Sequence, residues 1–416
     1  MMRSAILPST MRRYLILAAA FTLSVSAQTR LTLADAVNRA MTAHPLLKAG
    51  EERIAVSEGM RRQAGLGPNP KFVLQQENIR FSHPPPFQYW SDTDTFAFFQ
   101  QTIETGGKRK RRKEAAGAGV RRAQLERELL RKQIAGRVKN AYWAVAGAQR
   151  VHELLLEAAK NFLLIVEYHQ VRVREGAMAE ADLLRIRLES ERLHLAANTA
   201  FLNVQKARIR LFREMGEADI PESVLLDPLR EPDDEPLSSD VTHALEQRTE
   251  MKLARLGVEQ AEAMLRLERA NASPNVDAIV GYKRTAGLNT MLAGVQFDLP
   301  FRNRNQGNVA AAAARISAVR AELASMAAVV RAEVAAARKG YEIRRRQIIE
   351  SLQPMMKQAA ESARISRAAY REGGWDLLRL LDAERLRIET QSLYYQALAE
   401  YRQSIAELET AMGVEP

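Results

Sequence analysis

The chain has 416 residues, a formal charge of +11, 46% apolar and 6% aromatic residues, 15 prolines, 21 glycines and no cysteine. So little proline argues against a loop-rich chain, and the missing cysteine excludes disulfides and an acylated N-terminal Cys. Plentiful Ala, Leu, Arg and Glu suit long helices packed at close range, and the sparse aromatics leave Ala, Leu, Val and Ile to build the core.

Arg3, Arg12 and Arg13 precede the apolar run Tyr14 to Leu23 and then Ser24-Val25-Ser26-Ala27, the order of a secretory signal peptide over residues 1–27. The run is too short to span a bilayer, which takes about 20 residues. No later window supplies a spanning apolar helix, so the exported chain is soluble, surface-bound or a β-barrel membrane protein. It stays basic without the leader. The basic run Lys108 to Lys113 reads as a solvated helix start rather than a nucleic-acid patch, so no nucleic acid is expected as a partner.

In the exported chain a helical stretch from Leu33 to Gln63 leads to strands over about 71–78 and 95–103. A very long helix over about 108–175, a turn at Gly176 and a helix over about 180–215 follow. Ile134, Val138, Ala141, Val145 and Ala148 alternate steps of four and three, the seam of a coiled coil. From Lys113 to Arg174 there is no proline, and at 1.5 Å per residue this stretch is about 90 Å long. Helices of that length must pack side by side. Residues 217–240 hold Pro221, Pro228, Pro232, Pro236 and Asp233-Asp234-Glu235, a linker composition. The same order then returns over 241–416: strands at about 277–284 and 291–299, a long helix at about 307–372, a turn at Gly373 and a helix at about 375–412.

The chain is therefore a duplicated unit, with repeats over 28–216 and 241–416. Arg174-Glu175-Gly176 recurs as Arg371-Glu372-Gly373 and Met215-Gly216 as Met412-Gly413; both offsets, 371 − 174 and 412 − 215, are 197. Leu183-Leu184 falls on Leu380-Leu381 without a gap, and Pro68-Asn69 corresponds to Pro274-Asn275.

Met291, Ala293, Val295, Phe297 and Leu299 alternate with Leu292, Gly294, Gln296 and Asp298, one greasy face and one more polar, as in a membrane barrel. Phe72 and Leu74, with Phe96 and Phe98, show a weaker version in the first half. Four strands cannot close a barrel, and an open edge in lipid leaves backbone groups unpaired, so several copies must contribute strands. The fold class is mixed α and membrane β.

This organisation resembles the TolC family of outer-membrane efflux proteins across essentially the whole exported chain. Leu31-Thr32-Leu33-Ala34-Asp35-Ala36 is similar to the family's opening helix, and Gly176 and Gly373 fall at its two periplasmic hairpin turns. Ile103-Glu104-Thr105-Gly106-Gly107-Lys108-Arg109 and Arg304-Asn305-Gln306-Gly307-Asn308 resemble the heavy-metal branch, the cobalt-zinc-cadmium and copper-silver exit ducts. The resemblance implies a homotrimer in the outer membrane of a Gram-negative bacterium. Four strands per protomer would make a 12-stranded barrel in outer-membrane lipid, continued by a long periplasmic α-helical barrel.

The resemblance also implies partners: a periplasmic adaptor on the tips at Gly176 and Gly373, and an inner-membrane pump, proton-driven and of RND type for the metal branch. The implied function is passive conduction of heavy-metal cations from adaptor and pump to the exterior. At the family's periplasmic gate a tyrosine and an aspartate on neighbouring tip helices form a latch. Tyr370 and Asp182 match them, whereas Trp375 stands where the joining arginine belongs. Of two acidic constriction positions, Asp382 keeps one and Arg379 replaces the other.

The six histidines, at 44, 83, 152, 169, 194 and 243, lack metal-ligand spacing, and no phosphate loop, nucleophile elbow or catalytic cysteine occurs, so neither an enzyme nor a cofactor is expected. A duct for drugs, organic solutes or secreted protein, and an exported coiled coil without a pore, remain alternatives at this stage.

Overall fold

The structure, a computed structural model, describes residues 29–80, 86–232 and 240–414. The leader, His83 and the acidic centre of the linker lie outside the described residues. The first repeat runs β1 (Thr29–Leu31), α1 (Leu33–Ala43), α2 (Pro45–Ala64), β2 (Lys71–Glu77), the single turn α3 (Tyr89–Asp92), β3 (Asp94–Ile103), α4 (Lys108–Arg174) and α5 (Glu180–Met215). After β4 (Val224–Leu226) the second repeat runs α6 (Val241–Gln247), α7 (Thr249–Asn271), β5 (Val276–Thr285), β6 (Leu288–Phe297), α8 (Gln306–Arg346), a π-helical turn (Gln347–Leu352), α9 (Gln353–Arg371) and α10 (Leu377–Met412).

Four strands form one antiparallel sheet in the order β2-β3-β5-β6. The strand expected at 291–299 begins three residues earlier, at Leu288, and ends at Phe297. Register decides the faces. Phe72 lies opposite Phe99, Phe99 opposite Val280, and Val280 opposite Ala293; Leu74, Ala97, Tyr282 and Met291 form the next row. Phe72, Phe99, Val280, Met291, Val295 and Phe297 are all exposed on this side. The sequence pattern paired Phe72 and Leu74 with Phe96 and Phe98, and the register corrects this. Phe96 and Phe98 lie on the opposite face, among Lys71, Gln75, Gln100, Asp277 and Lys283, with the Lys283 ammonium 5.3 Å from the centre of the Phe96 ring. Gly281 faces Phe98, and a Cβ there would collide with it. The sheet therefore has an apolar face and a mixed polar face, and its outer strands β2 and β6 each keep one unpaired edge within the protomer.

Between sheet and helices, Gly106 and Gly107 take left-handed backbone (φ 62° and 70°), and a Cβ on Gly106 would strike Ser273 and the Ala270 carbonyl at the end of α7. Part of the basic run that follows is used here. Lys108 donates to Asn275 Oδ1 (2.5 Å), and Arg112 pairs with Glu104 (2.5 Å) while donating to the carbonyls of Ala64 and Leu66. The Arg112 bonds staple the end of α2 to the start of α4, and the Lys108 bond ties it to the loop after α7.

The helix α4 has 67 residues, about 100 Å at 1.5 Å per residue, and packs along both α5 and α10. Gly147 sets the closest approach: a Cβ on it would lie 2.5 Å from Ala399 Cβ in α10. The long helix expected over 307–372 is not uniformly α-helical. Pro354 lacks an amide proton and its ring crowds the carbonyl four residues back, at Glu350, so the helix widens into the π turn 347–352 and continues as α9.

The helix expected from Leu33 to Gln63 is likewise two. Pro45 forces His44 into extended backbone (ψ 123°), and His44 Nδ1 then accepts from Leu46 N (3.1 Å) to cap α2. The second repeat breaks at the same place, Arg248, without a proline. The linker also holds structure that the composition did not reveal: β4 pairs in parallel with β1. Tyr142 of α4, fully buried, donates to Leu31 O (2.9 Å) and accepts from Asp227 N (2.8 Å), tying both short strands to the long helix.

Two predictions follow from this packing. Gly147→Val overpacks the α4–α10 contact and should cost about 1–3 kcal/mol, read as a lower denaturant midpoint of the purified protein. Burial, reinforced by the nearby Arg137 charge and opposed by Glu214, holds His44 below its ordinary pKa of 6.5. The folded state thus prefers neutral His44. Its stabilising contribution is complete above about pH 6.5 and is lost as pH falls through the lower folded value. The melting temperature should therefore drop between pH 7 and 5, and drop less in His44→Asn, which retains a capping side chain but does not titrate.

Candidate functional site: the helical tips

The two hairpin ends are built alike. After α4, Gly176 (φ 72°) donates to Val173 O (3.0 Å) and Ala177 to Arg172 O (2.8 Å); after α9, Gly373 (φ 76°) donates to Tyr370 O (3.1 Å) and Gly374 to Ala369 O (2.9 Å). Both are Schellman stops, in which a left-handed residue lets the chain satisfy its last carbonyls. Nothing lies within 4 Å of a Cβ built on either glycine. Glycine is required there by φ, not by close helix approach within the protomer.

Beneath the turns, Val166 of α4, Leu183 and Ile186 of α5, and Leu377 and Leu380 of α10 form one buried cluster, with Tyr370, Val173 and Met178 against it. Its polar member is His169, 2% exposed on α4. His169 Nδ1 lies 2.7 Å from Ile165 O and Nε2 lies 2.7 Å from Tyr370 Oη. A carbonyl can only accept, so Nδ1 carries the proton; in the neutral imidazole Nε2 then accepts and the Tyr370 hydroxyl donates. Burial pushes the Tyr370 phenol above its ordinary value; Arg172 opposes the shift, and Tyr168 and Asp182 add to it. This bond fastens α9 to α4.

The structure places the other expected gate residues as follows. Asp182, near the start of α5, is half-exposed, acts on Tyr370 through its charge, and has the Arg185 guanidinium 3.9 Å away. Trp375 does not reach Tyr370 with a hydrogen bond. Instead it lies under the Arg379 guanidinium, 5.6 Å from the ring centre, while Asp376 caps α10 by accepting from Arg379 N (3.0 Å). Asp382 is exposed on α10.

Two residues were missed in the sequence. His169 follows Phe162 and Val166 at seam spacing, so a polar residue in a buried stripe was the available signal. Glu384, 6% exposed, is held between Arg367 (2.6 Å) and Arg387 (2.9 Å), joining α9 to α10. Among the described residues no cluster of His, Asp and Glu could hold a metal, and no helix is long and apolar enough to cross a membrane.

A sheet with one apolar face and two open edges, continued by helical hairpins about 100 Å long, is the protomer architecture of an outer-membrane channel. The chain belongs to the Outer membrane efflux protein family, whose sequence model matches residues 36–217 and 241–414, and is located in the outer membrane. It is 24% identical over 385 residues to the cobalt-zinc-cadmium resistance protein CzcC of Cupriavidus metallidurans, covering 92% of this chain and 90% of that one. Its fold matches a membrane protein from Pseudomonas aeruginosa with a TM-score of 0.78 at 18% identity, over 92% of both chains. It also matches CusC, a transmembrane channel, with a TM-score of 0.78 at 16% identity, again over 92% of both. The family and fold are those of passive channels, not enzymes.

Tyr370→Phe deletes the donor to His169 and leaves a buried acceptor unsatisfied, which costs about 1–3 kcal/mol. Amide hydrogen exchange over residues 160–174 and 363–371 should accelerate roughly five-fold or more, since about 1.4 kcal/mol is a factor of ten, while exchange around Tyr142 stays unchanged.

Proposed function

We propose that three copies of the chain assemble into a 12-stranded barrel in outer-membrane lipid, continued by a periplasmic helical tube, as the exit duct of a tripartite efflux system. A periplasmic adaptor would seat on the tips around Gly176 and Gly373, and an inner-membrane pump of the proton-driven RND type would supply the energy. The duct conducts passively: adaptor binding biases the helical ends from closed to open, and cargo diffuses out. Tyr370, Asp182, Trp375, Arg379 and Asp382 form the periplasmic gate in this reading, with His169 as the hydrogen-bond partner of Tyr370.

The cargo we assign is heavy-metal cations. The observation that carries this is the likeness to CzcC along nearly the full length of both chains. No metal site is needed in a duct, because the pump chooses the cargo. The test is elemental mass spectrometry of cells lacking the protein and of their complemented parent, grown in sublethal cobalt, zinc or cadmium. A complementable rise of several-fold in at least one of these metals is expected. Unchanged metals together with raised retention of an organic toxicant would assign the duct to organic-solute efflux instead.

A further inference from the structure

The apolar face of the sheet ends in a single step. Beyond the row Leu74, Ala97, Tyr282 and Met291, the next row toward the hairpin turns is Gln76, Thr95, Arg284 and Asn289. The long helices α4 and α8 follow the other ends of β3 and β6, after Ile103 and Phe297. With the helices on the periplasmic side, this polar row stands at the outer-leaflet end of the lipid-facing side.

Two tyrosines decide what the row presents. Tyr282, one row below, donates its hydroxyl to Asn289 Oδ1, and Tyr89, from the loop above, donates to Gln76 Oε1. An amide whose oxygen is occupied still has two N–H donors. With the Thr95 hydroxyl and the Arg284 guanidinium, every member of the row can donate, and none is a carboxylate. Arg284 is also uncompensated: among the described residues its Nε is buried without a hydrogen-bond partner, and no carboxylate pairs with it. The acids at this end are engaged elsewhere. Glu77 and Asp94 lie on the opposite face, Asp94 accepting from Asn78 and from Ala286 N, and Asp92 pairs with Arg80 at 3.2 Å.

Tyr89 brings an aromatic cluster to the Gln76 corner. The Phe87 and Trp90 rings meet it edge-on, at 6.4 and 5.2 Å, and Trp90 is 73% exposed. Indole and phenol rings favour the level where lipid headgroups meet water. Gln76 and Arg284 lie two strands apart, about 10 Å at the usual strand spacing. A ligand that spans them has an anionic group at one end and a flat apolar ring face at the other, with hydrocarbon below.

We propose that this row binds the headgroup of a phosphorylated glycolipid of the outer leaflet. Arg284 and the Asn289 amide take a phosphate, whose oxygens only accept; Trp90 stacks on a sugar ring; and the acyl chains run down over Tyr282, Met291 and Val280. The inference rests on the outer-membrane location and the apolar face, not on the cargo or the number of copies.

Native mass spectrometry of the full chain in mild detergent tests it, with titrations of rough lipopolysaccharide, of the same lipid stripped of its phosphates, and of phosphatidylglycerol. The unaltered protein should hold the intact glycolipid about ten-fold or more tighter than either other lipid, the scale of a lost charge-assisted hydrogen bond. Arg284→Gln should remove that preference and Trp90→Ala should weaken binding several-fold, whereas Lys283→Gln, one residue away on the opposite face, should change nothing. Equal binding of the dephosphorylated lipid overturns the phosphate site, and it does so on the unaltered protein even if Arg284→Gln fails to fold. Equal binding of phosphatidylglycerol overturns the glycolipid assignment, and a loss in Lys283→Gln as large as in Arg284→Gln reduces the effect to overall charge and overturns the site.

Discussion

A β-strand edge cannot be left bare in hydrocarbon. Each unpaired N–H or C=O there costs several kcal/mol, and this sheet has two such edges, along β2 and β6. Its apolar face, lined by Phe72, Phe99, Val280 and Met291, is lipid-directed in character, so water offers no better solution. Both edges can be satisfied only by other strands, and among the described residues the protomer has none to spare, since β1 and β4 pair with each other. The need for further copies is thus set by hydrogen bonding before any helix is considered.

The helices inherit that geometry. A protomer that supplies two hairpins, one from each repeat, gives a three-copy ring six nearly equivalent hairpins. The shared construction of the two tips, with the same pair of backbone bonds around Gly176 and Gly373, fits that near-equivalence. The repeats also differ. Tyr370 has Val173 as its counterpart, and Pro354, which carries the π turn, has Glu157. Only one hairpin of each protomer therefore has a widened turn in its long helix and a hydroxyl that reaches across to His169.

Much of this was legible in the sequence because it rests on period and repetition. The Met291 to Leu299 alternation, the four-three seam from Ile134 and the 197-residue offset are long patterns that local context cannot easily override. What was misread turned on single residues. Phe96-Ala97-Phe98-Phe99 holds aromatics on both faces, and only pairing with Phe72 shows that Phe99, not Phe98, joins the apolar side. Pro45 breaks one helix and Pro354 merely widens another, because His44 can cap a new helix whereas residues 347–352 stay packed on α10. The β1–β4 pair joins residues 195 positions apart, beyond what local pattern reports. At the tips, the partner of Tyr370 is His169, visible beforehand only as a polar residue in a buried seam.

The absence of cysteine makes the central claim open to a direct measurement. A single cysteine placed along β2 is combined in turn with one at each position of β6, and the protein is oxidised in its native membrane. Edge-to-edge closure predicts that some register gives a disulfide-linked ladder that ends at three chains. No linked product at any register, or a ladder running on past three, would contradict a closed barrel made by three copies of this chain.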